Sequence, residues 1–355
     1  MITLQQLLKA CVKQNASDLH IVAGSPPVLR VEGKIVRVKT EELSADEARK
    51  LCYSILTDSQ KSRFEATKEL DFSFGVKNMA RFRANLFFQR GVVSGAFRRV
   101  PLEVPEFDKL GLPAVIQETT RFPNGLVLVT GPTGSAKTTT IAGLIDKINR
   151  EERGHIITLE DPIEFVHSHK NCIVNQREIG ADTVNFKVAL KHILRQDPDV
   201  CFLGELRDLE TIETALIVAE TGHLVFGTLH TNSAIQTINR IVSVFPTDQQ
   251  DRIRVQLSFV LNAVVSQRLV ESIEGGQIPV TEVMMLNTNI RNLIRENKLH
   301  QVYGMMQVGQ DRTGMITMNQ SLLKLIMKRK IDLRAAFEVS PDPEELDKLL
   351  KQAGI

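Results

Sequence analysis

The chain has 355 residues, a length that usually corresponds to about two domains. Hydrophobic residues make up 43% of it, which is enough to form a core, and no apolar run is long enough to span a bilayer, so direct membrane insertion is excluded. A net charge of +2, an aromatic content of 5% and the absence of tryptophan argue against nucleic-acid binding, which relies on basic surfaces and stacking side chains.

The cysteine pattern and the N-terminal residues favour a cytoplasmic protein. The four cysteines are scattered, without the close pairing of a disulfide framework, which fits a reducing compartment. The first residues lack the basic region, apolar stretch and small-residue cleavage site of a secretion signal. We therefore expect the protein to be soluble and to remain in the cytoplasm.

The first hundred residues predict a small α+β domain. Apolar residues at helical spacing over Thr3–Lys13 predict a helix, and Ser44 followed by acidic residues predicts a second one through about Ile55. Pro101 and Pro105 bias the residues before them away from helix, which predicts an extended linker. We place the domain at residues 1–99 and the interdomain linker at 100–110. Within the small domain, alternation with period two predicts strands at Leu19–Val22, in a hairpin beginning at Val28–Val31, at Phe72–Phe74 and at Arg81–Phe88.

From residue 111 to residue 355 the pattern predicts a second, α/β domain. Strands alternate with helices, which is typical of a mainly parallel sheet covered by helices. Beyond Gln249 the chain is predicted to be mostly helical, with long periodic stretches at Ile253–Val270 and Met318–Met327. The predicted strands are Leu126–Val129, Ile156–Leu159, Val200–Leu203 and Leu224–Leu229.

The segment Gly131–Thr140 is the most informative motif. It lies between a buried strand and a helix-like run, which is the P-loop arrangement for a nucleoside triphosphate rather than an ordinary strand–turn–helix. Backbone N–H groups face the phosphates, Lys137 neutralises the β and γ oxygens, and Thr138 offers its hydroxyl to Mg²⁺. The pattern has glycine directly before the lysine, where this chain has Ala136. The candidate nucleotide-binding residues are Gly131, Thr133, Gly134, Ser135, Ala136, Lys137, Thr138 and Thr139.

Acidic residues follow later strands, at the edge where an open α/β sheet binds ligands. Glu160 and Glu164 follow one strand and could orient a water molecule or help to hold the metal; the alternative is a solvated acidic turn. Glu205 follows Val200–Leu203, which predicts a carboxylate near Mg²⁺ and the γ-phosphate, against the alternative of a chance glutamate after a core strand.

Two histidines and two arginines complete the candidate site. His223 and His230 stand at opposite ends of one strand; His230, at its carboxyl end, could donate to a γ-phosphate oxygen, although either histidine could be structural. Arg81 and Arg83 share one face of a strand by the period of two. They form a solvated basic face or, if subunits pack around a nucleotide, a pair of arginine fingers.

Together these residues resemble the secretion-type ATPases that power type IV pili, and within them the retraction (PilT-type) ATPases, over essentially the whole chain. The matching landmarks are Ser17–His20 with Pro26 and Pro27, Arg81–Arg83, the P-loop, the Asp box Thr158–Glu164, the Walker B segment Asp199–Glu205, the His box Ala219–His230 and the retraction-associated C-terminal motif Ile290–Glu296.

The resemblance implies a PAS-like N-terminal domain joined to a RecA-like ATPase domain with a helical C-terminal part. It implies a ring hexamer with ATP and Mg²⁺ bound between the two domains. Glu164 would be the base on the attacking water and Glu205 would support the metal. His230 would sense the γ-phosphate, with Arg81 and Arg83 near the nucleotide.

The resemblance also implies partners. Each turnover would move the small domain against the large one and pass the displacement to the inner-membrane platform protein of the pilus, so a cytoplasmic protein peripheral to the inner membrane is expected. The extension ATPases have a larger N-terminal region and a tetracysteine zinc motif without counterpart here, which favours retraction. A second retraction ATPase could share the work, and a PilU-type accessory ATPase remains an alternative.

Ala136 is the main departure from the family pattern. If this residue must adopt positive φ, its Cβ is expected to shift the loop amides and to slow or weaken ATP handling. The departure keeps open a regulatory ring subunit that binds nucleotide but hydrolyses little. A RecA-like nucleic-acid motor is a third hypothesis, which the near-neutral charge disfavours.

Overall fold

The structure is a computed structural model that describes residues 2–31, 33–76, 79–100, 104–308 and 313–355. The chain divides into two compact units, one of residues 1–103 with 164–166, the other of residues 104–163 with 167–355. The division falls inside the predicted linker at 100–110. Residues 101–103 of that linker lie outside the described residues, and Phe107–Leu110 form a short 3₁₀ helix whose Phe107 is buried in the core of the second unit.

The described residues of the first unit form an antiparallel six-stranded sheet, in the order β3-β2-β1-β6-β5-β4, together with three helices. Each helix begins with a capping box, in which Thr3, Ser44 or Thr57 accepts a hydrogen bond from the third helical residue and that residue's side chain bonds back. The helices are α1 (Leu4–Lys13), α2 (Ala45–Tyr53) and α3 (Asp58–Thr67), and the strands are β1 (Asp18–Ile21), β2 (Val28–Val31), β3 (Lys34–Arg37), β4 (Glu69–Val76), β5 (Ala80–Gln89) and β6 (Val92–Val100).

The second unit contains a seven-stranded sheet in the order β13-β12-β7-β11-β10-β8-β9, with every neighbouring pair parallel except β12 and β13. Every residue of the central strands β7, β10 and β11 is buried, since apolar clusters cover both faces of the sheet. The strands are β7 (Gly125–Thr130), β8 (His155–Glu160), β9 (Ile173–Glu178), β10 (Val200–Leu203), β11 (Leu224–Leu229), β12 (Leu261–Glu271) and β13 (Gln277–Met285).

Helices surround this sheet and form the C-terminal part of the chain. They are α4 (Lys137–Glu151), α5 (Phe186–Ile193), α6 (Leu209–Glu220), α7 (Ala234–Ser243), α8 (Gln250–Val260), α9 (Thr288–Arg295), α10 (Val302–Gln307), α11 (Met318–Met327), α12 (Leu333–Val339) and α13 (Pro343–Gln352). Short 3₁₀ helices lie at Ala114–Arg121 and Leu299–Gln301. The predicted fold class, a small α+β region followed by a RecA-like α/β region with a helical C-terminal part, is confirmed.

One long prediction in the second unit is wrong. Ile253–Val270 was predicted to be helical, but the helix ends at Val260 and β12 begins at Leu261. The reason is that α8 buries Ile253 and Leu257 at helical spacing, whereas β12 lies between β7 and β13 and is buried on both faces. A strand that is buried on both faces lacks the alternation of period two that separates a strand from a helix in the sequence.

Candidate nucleotide-binding site

The P-loop joins the carboxyl end of β7 to the first turn of α4. Gly131 donates its N–H to the carbonyl of Leu229 at 3.2 Å, which ties the loop to the end of β11. Lys137 is buried, and its Nζ donates to the carbonyls of Gly131 and Pro132, each at 2.9 Å. Within the described ranges no side chain caps α4 at Ala136, and a helix N-terminus of this kind favours an anion. Thr133 and Gly134 are exposed, Ser135 is buried, and Thr138 and Thr139 are half-buried.

Ala136 has a left-handed backbone, with φ 64° and ψ 28°. This is the condition under which the alanine is expected to matter, because a left-handed conformation costs an L-residue about 1–2 kcal/mol. Glycine adopts the same conformation without that cost. The loop therefore carries backbone strain at the residue directly before Lys137.

Replacing Ala136 with glycine is expected to stabilise the protein by about 0.5–1 kcal/mol. The gain from removing the strained Cβ, about 1–2 kcal/mol, exceeds the unfolded-state entropy that glycine adds, about 0.5–1 kcal/mol. Thermal unfolding should show a midpoint raised by about 2 °C. The matched control is Ala142→Gly in the same helix, which should lower stability by about 1 kcal/mol because that residue is helical and buried. A lower midpoint for Ala136→Gly would contradict the assignment of strain.

The Ala136→Gly variant should also hydrolyse ATP faster or bind it more tightly than the parent. Unchanged kinetics would refute the expectation that Ala136 slows or weakens ATP handling.

The parallel strands that end beside the P-loop bring the predicted polar side chains to one edge of the sheet. β11, next to β7, ends level with it, so His230 follows directly beside the start of the loop. β10 is the next strand, about 10 Å from β7 at the usual strand spacing, and Glu205 follows its end. β8 lies one strand further and ends in Glu160.

Glu205, Arg207 and His230 form one hydrogen-bonded group. Oε1 of Glu205 lies 2.7 Å from Nε of Arg207 and 3.1 Å from Nε2 of His230, and its Oε2 lies 2.7 Å from Nη2 of Arg207. Burial alone would raise the pKa of Glu205, but the hydrogen bond and charge of Arg207, with His230 beside them, lower it overall. The carboxylate therefore remains ionised at neutral pH. Any stability that these contacts add is present above the ordinary carboxyl pKa and is lost as the pH falls through the lowered one.

The backbone around Glu205 is attached to β11. Leu206 donates its N–H to the carbonyl of Thr228 at 3.0 Å, and the hydroxyl of Thr228 donates to the carbonyl of Gly204. At Gly227 of this strand a Cβ would lie 2.9 Å from Cδ1 of Leu206, so a larger residue there would force the side chain of Leu206 to shift. These contacts hold Glu205 and His230 at the same edge.

The remaining predicted acidic and imidazole groups have different surroundings. Glu160 is buried, and its Oε1 accepts from Oγ1 of Thr158 at 2.6 Å and from Nε2 of Gln176 at 3.1 Å. Glu164 is exposed and belongs to the segment 164–166 that groups with the first unit. His223 lies at the amino end of β11, where its Nδ1 is 3.1 Å from the carbonyl of Val218. The structure therefore does not bring His223 to the P-loop edge of its own chain, and its nucleotide-binding role stays a prediction.

Arg81 and Arg83 lie on one face of β5. Both are half-buried and alternate with the buried Phe82, as the period of two predicts. Arg83 is paired with Ser73 on β4 and with Arg98 on β6. The pair therefore shares one face of the first unit's sheet, and both its interpretations, a solvated basic face and arginine fingers, stay predictions.

Gln267 on β12 is a P-loop contact that the sequence analysis missed. Its side chain is buried; Nε2 donates to the carbonyl of Ser135 at 2.7 Å, and Oε1 accepts from Oγ1 of Thr140 at 2.7 Å. Its backbone carbonyl also explains the glycine at position 131, where φ is 146° and a Cβ would lie 2.1 Å from that oxygen. The wrong helix prediction over Ile253–Val270 concealed this contact, because the strand that delivers Gln267 was not recognised.

Arg291, in the C-terminal motif, makes contacts within the chain. Its Nη1 donates to the carbonyls of Ser258 and Phe259 at 2.6 and 2.9 Å, and its Nη2 donates to Oδ1 of Asn262 at 3.0 Å. These acceptors lie at the end of α8 and the start of β12. The guanidinium therefore donates to the last carbonyls of α8, which have no partner within the helix. The side chain of Arg291 is partly buried, and this burial lowers its pKa.

The fold and the loop define a P-loop protein with a RecA-like sheet, and comparison with known proteins gives the family. The profile of the family described as Type II/IV secretion system protein matches residues 1–330. The chain belongs to this family. In the part that the structure describes, no helix is both long and apolar enough to cross a membrane.

Three individual proteins are especially similar. The type IV pilus retraction ATPase PilT of Pseudomonas aeruginosa is 47% identical over 96% of this chain and 99% of its own length. The type IV pilus ATPase PilU of the same organism is 36% identical over 98% of this chain and 91% of its own length. A crystal structure of the pilus retraction motor PilT with bound ADP has a TM-score of 0.93 at 52% identity, and the match covers 98% of this chain and 100% of that one.

Proposed function

We propose that this chain is a Mg²⁺-dependent ATPase that assembles as a homohexamer and powers the retraction of type IV pili. The observation that carries the proposal is the P-loop with Lys137 at the start of α4, on the same sheet edge as Glu205 and His230. The similarity to PilT along almost its whole length supports the specific function.

The residues at this edge suit the hydrolysis of ATP. Lys137 would neutralise phosphate oxygens, and the first N–H groups of α4 would bind them. Thr138 and Glu205 supply hydroxyl and carboxylate oxygens, the donors that Mg²⁺ prefers, and the ion would neutralise charge on the phosphates. Glu164 would accept the proton of the attacking water, and His230 would donate from its ring nitrogen to a γ-phosphate oxygen.

The other predicted residues and partners complete the proposal. Arg81 and Arg83 would stabilise phosphoryl charge, and Glu160 and His223 would contribute to nucleotide binding. The ring would act in the cytoplasm, at the inner membrane, on the platform protein of the pilus, with or without a second retraction ATPase.

Two measurements test the proposal. The purified protein should release phosphate from ATP only when Mg²⁺ is present, and the release should stop when EDTA is added. Expressed in a Pseudomonas aeruginosa strain that lacks PilT, the chain should restore twitching motility. Failure to release phosphate under any Mg²⁺ concentration would overturn the enzymatic part.

An accessory ring subunit with weak hydrolysis is the second candidate. The left-handed Ala136 favours it, because the strained loop is expected to slow turnover, and the similarity to PilU is consistent with it. This candidate predicts nucleotide binding with little phosphate release, and twitching that is restored only when an active PilT is also present.

A further inference from the structure

Gln267 binds the two loop groups that flank the strained residue Ala136. The carbonyl of Ser135 precedes Ala136, and Nε2 of Gln267 donates to it at 2.7 Å. Thr140 lies one helical turn later; its hydroxyl donates to Oε1 of Gln267 at 2.7 Å and lies 3.2 Å from the carbonyl of Ala136. A single side-chain amide therefore connects both sides of the left-handed residue.

The sheet places this amide with little freedom to move. Ser266 is in register with Thr130, the last residue of β7, and their hydroxyl oxygens are 2.8 Å apart. Gln267 is thus one residue beyond the end of β7, level with the start of the loop. Its strand is paired on both sides, with β7 and with β13. A buried side chain on a strand that is paired on both sides is closely packed and is therefore a rigid anchor.

The hydrogen bond from Gln267 matters because it fixes the direction of a peptide group in the loop. N–H groups can point toward a phosphate only while the carbonyls of the same peptide units point away and find donors elsewhere. The carbonyl of Ser135 finds its donor in Gln267, and that peptide unit carries the N–H of Ala136. Donors that are arranged before a ligand arrives need no reorganisation when it binds.

We propose that Gln267 is a positioning residue of the nucleotide site: its amide holds the P-loop in the phosphate-binding conformation and offsets the strain of Ala136. The inference rests on the proposed function, since it assigns Gln267 to the binding of a nucleotide. It predicts that the anchor matters more in this chain than in a relative with glycine before the lysine.

The first test replaces Gln267 with methionine, which keeps the length of the side chain and removes both hydrogen bonds. Titration calorimetry with ADP and Mg²⁺ should show affinity about tenfold weaker, and the KM for ATP should rise by more than kcat falls. The matched control is Thr281→Val, because Thr281 is buried opposite Gln267 on β13 and its hydroxyl has no hydrogen-bond partner among the described residues. This control should bind ADP like the parent. Equal affinities for the two variants would overturn the inference.

The second test measures coupling to the strained residue. In the Ala136→Gly background, the loss of ADP affinity from Gln267→Met should shrink to about threefold or less, because glycine holds the left-handed conformation unaided. An undiminished tenfold loss would contradict the assigned offset of strain.

A third variant keeps the inference testable if Gln267→Met does not fold. Thr140→Val removes the hydroxyl that Gln267 binds, whereas Thr140→Ser retains it. The valine variant should bind ADP about threefold more weakly and the serine variant like the parent; equal binding by both would count against the anchor. A parent protein that does not bind ADP would refute the proposed function itself, whereas a parent and a Gln267→Met variant that bind equally would refute only the role of Gln267.

Discussion

Replacing Lys137 with alanine is expected to reduce ATP hydrolysis at least about 100-fold. The ammonium group of Lys137 lies between the carbonyls of Gly131 and Pro132, in the centre of the loop, and no other cation of the loop can take its place. Removing one such group from a preorganised site costs about 100- to 1,000-fold in turnover. Phosphate release at saturating ATP and Mg²⁺ is the measurement, and nucleotide affinity should fall as well.

The control for this variant is Lys147→Ala. Lys147 lies ten residues further along the same helix, and its Nζ is 2.5 Å from Oε1 of Glu151. Its removal deletes the same number of side-chain atoms and one positive charge, but away from the loop, so hydrolysis should change less than about twofold. A Lys137→Ala protein that hydrolyses ATP like the Lys147→Ala protein would show that the loop is not the nucleotide site.

Replacing Glu205 with glutamine is expected to reduce kcat about 100-fold while ADP binds with nearly unchanged affinity. Glutamine keeps the shape of the side chain and can still contact Arg207 and His230, but it lacks the negative charge that would support Mg²⁺ and the reacting phosphate. Steady-state kinetics combined with calorimetry for ADP separates the two effects. The predicted signature is a fall in kcat without a matching fall in affinity.

Glu210→Gln is the matched control for this variant. Glu210 lies in the first turn of the following helix and forms an ion pair with Lys187 at 2.8 Å. An ion pair of this exposed kind contributes little, so the control should retain its activity. A Glu205→Gln enzyme with unchanged kcat would exclude Glu205 from the catalytic step.

The central strands and the P-loop could be predicted because each depends on neighbouring residues only. The apolar runs of β7, β10 and β11 are only 6, 4 and 6 residues long and are buried at every residue, so their length and composition together indicate strands. Helix α3 was missed because it buries only Phe64 and has no apolar stripe, although its capping box at Thr57 and Gln60 was a usable signal. For the hairpin of β12 and β13, a usable signal in the sequence is the pair of glycines at 275 and 276 between two segments rich in apolar residues.

The candidate site was predictable to the extent that strand ends define it. Glu205 and His230 are brought together because parallel neighbours end at the same edge, which the order of strands and helices already indicated. Gln267 was not predictable in this way, since it contacts a loop 132 residues earlier in the chain. Contacts of this kind depend on which strand pairs with which, and a single sequence does not encode that pairing in any local pattern.

The contacts of Arg291 change how variants of the C-terminal motif should be interpreted. A cell that carries Arg291→Ala and has lost motility would not thereby identify a docking surface, because the substitution leaves the carbonyls of Ser258 and Phe259 without their donor. The loss of these hydrogen bonds would also disturb β12, which begins two residues after Phe259. This strand carries Gln267, which contacts the nucleotide loop. Genetic searches for a partner-binding surface on α9 or its C-cap are better directed at Asn289 and Glu296, whose side chains are exposed.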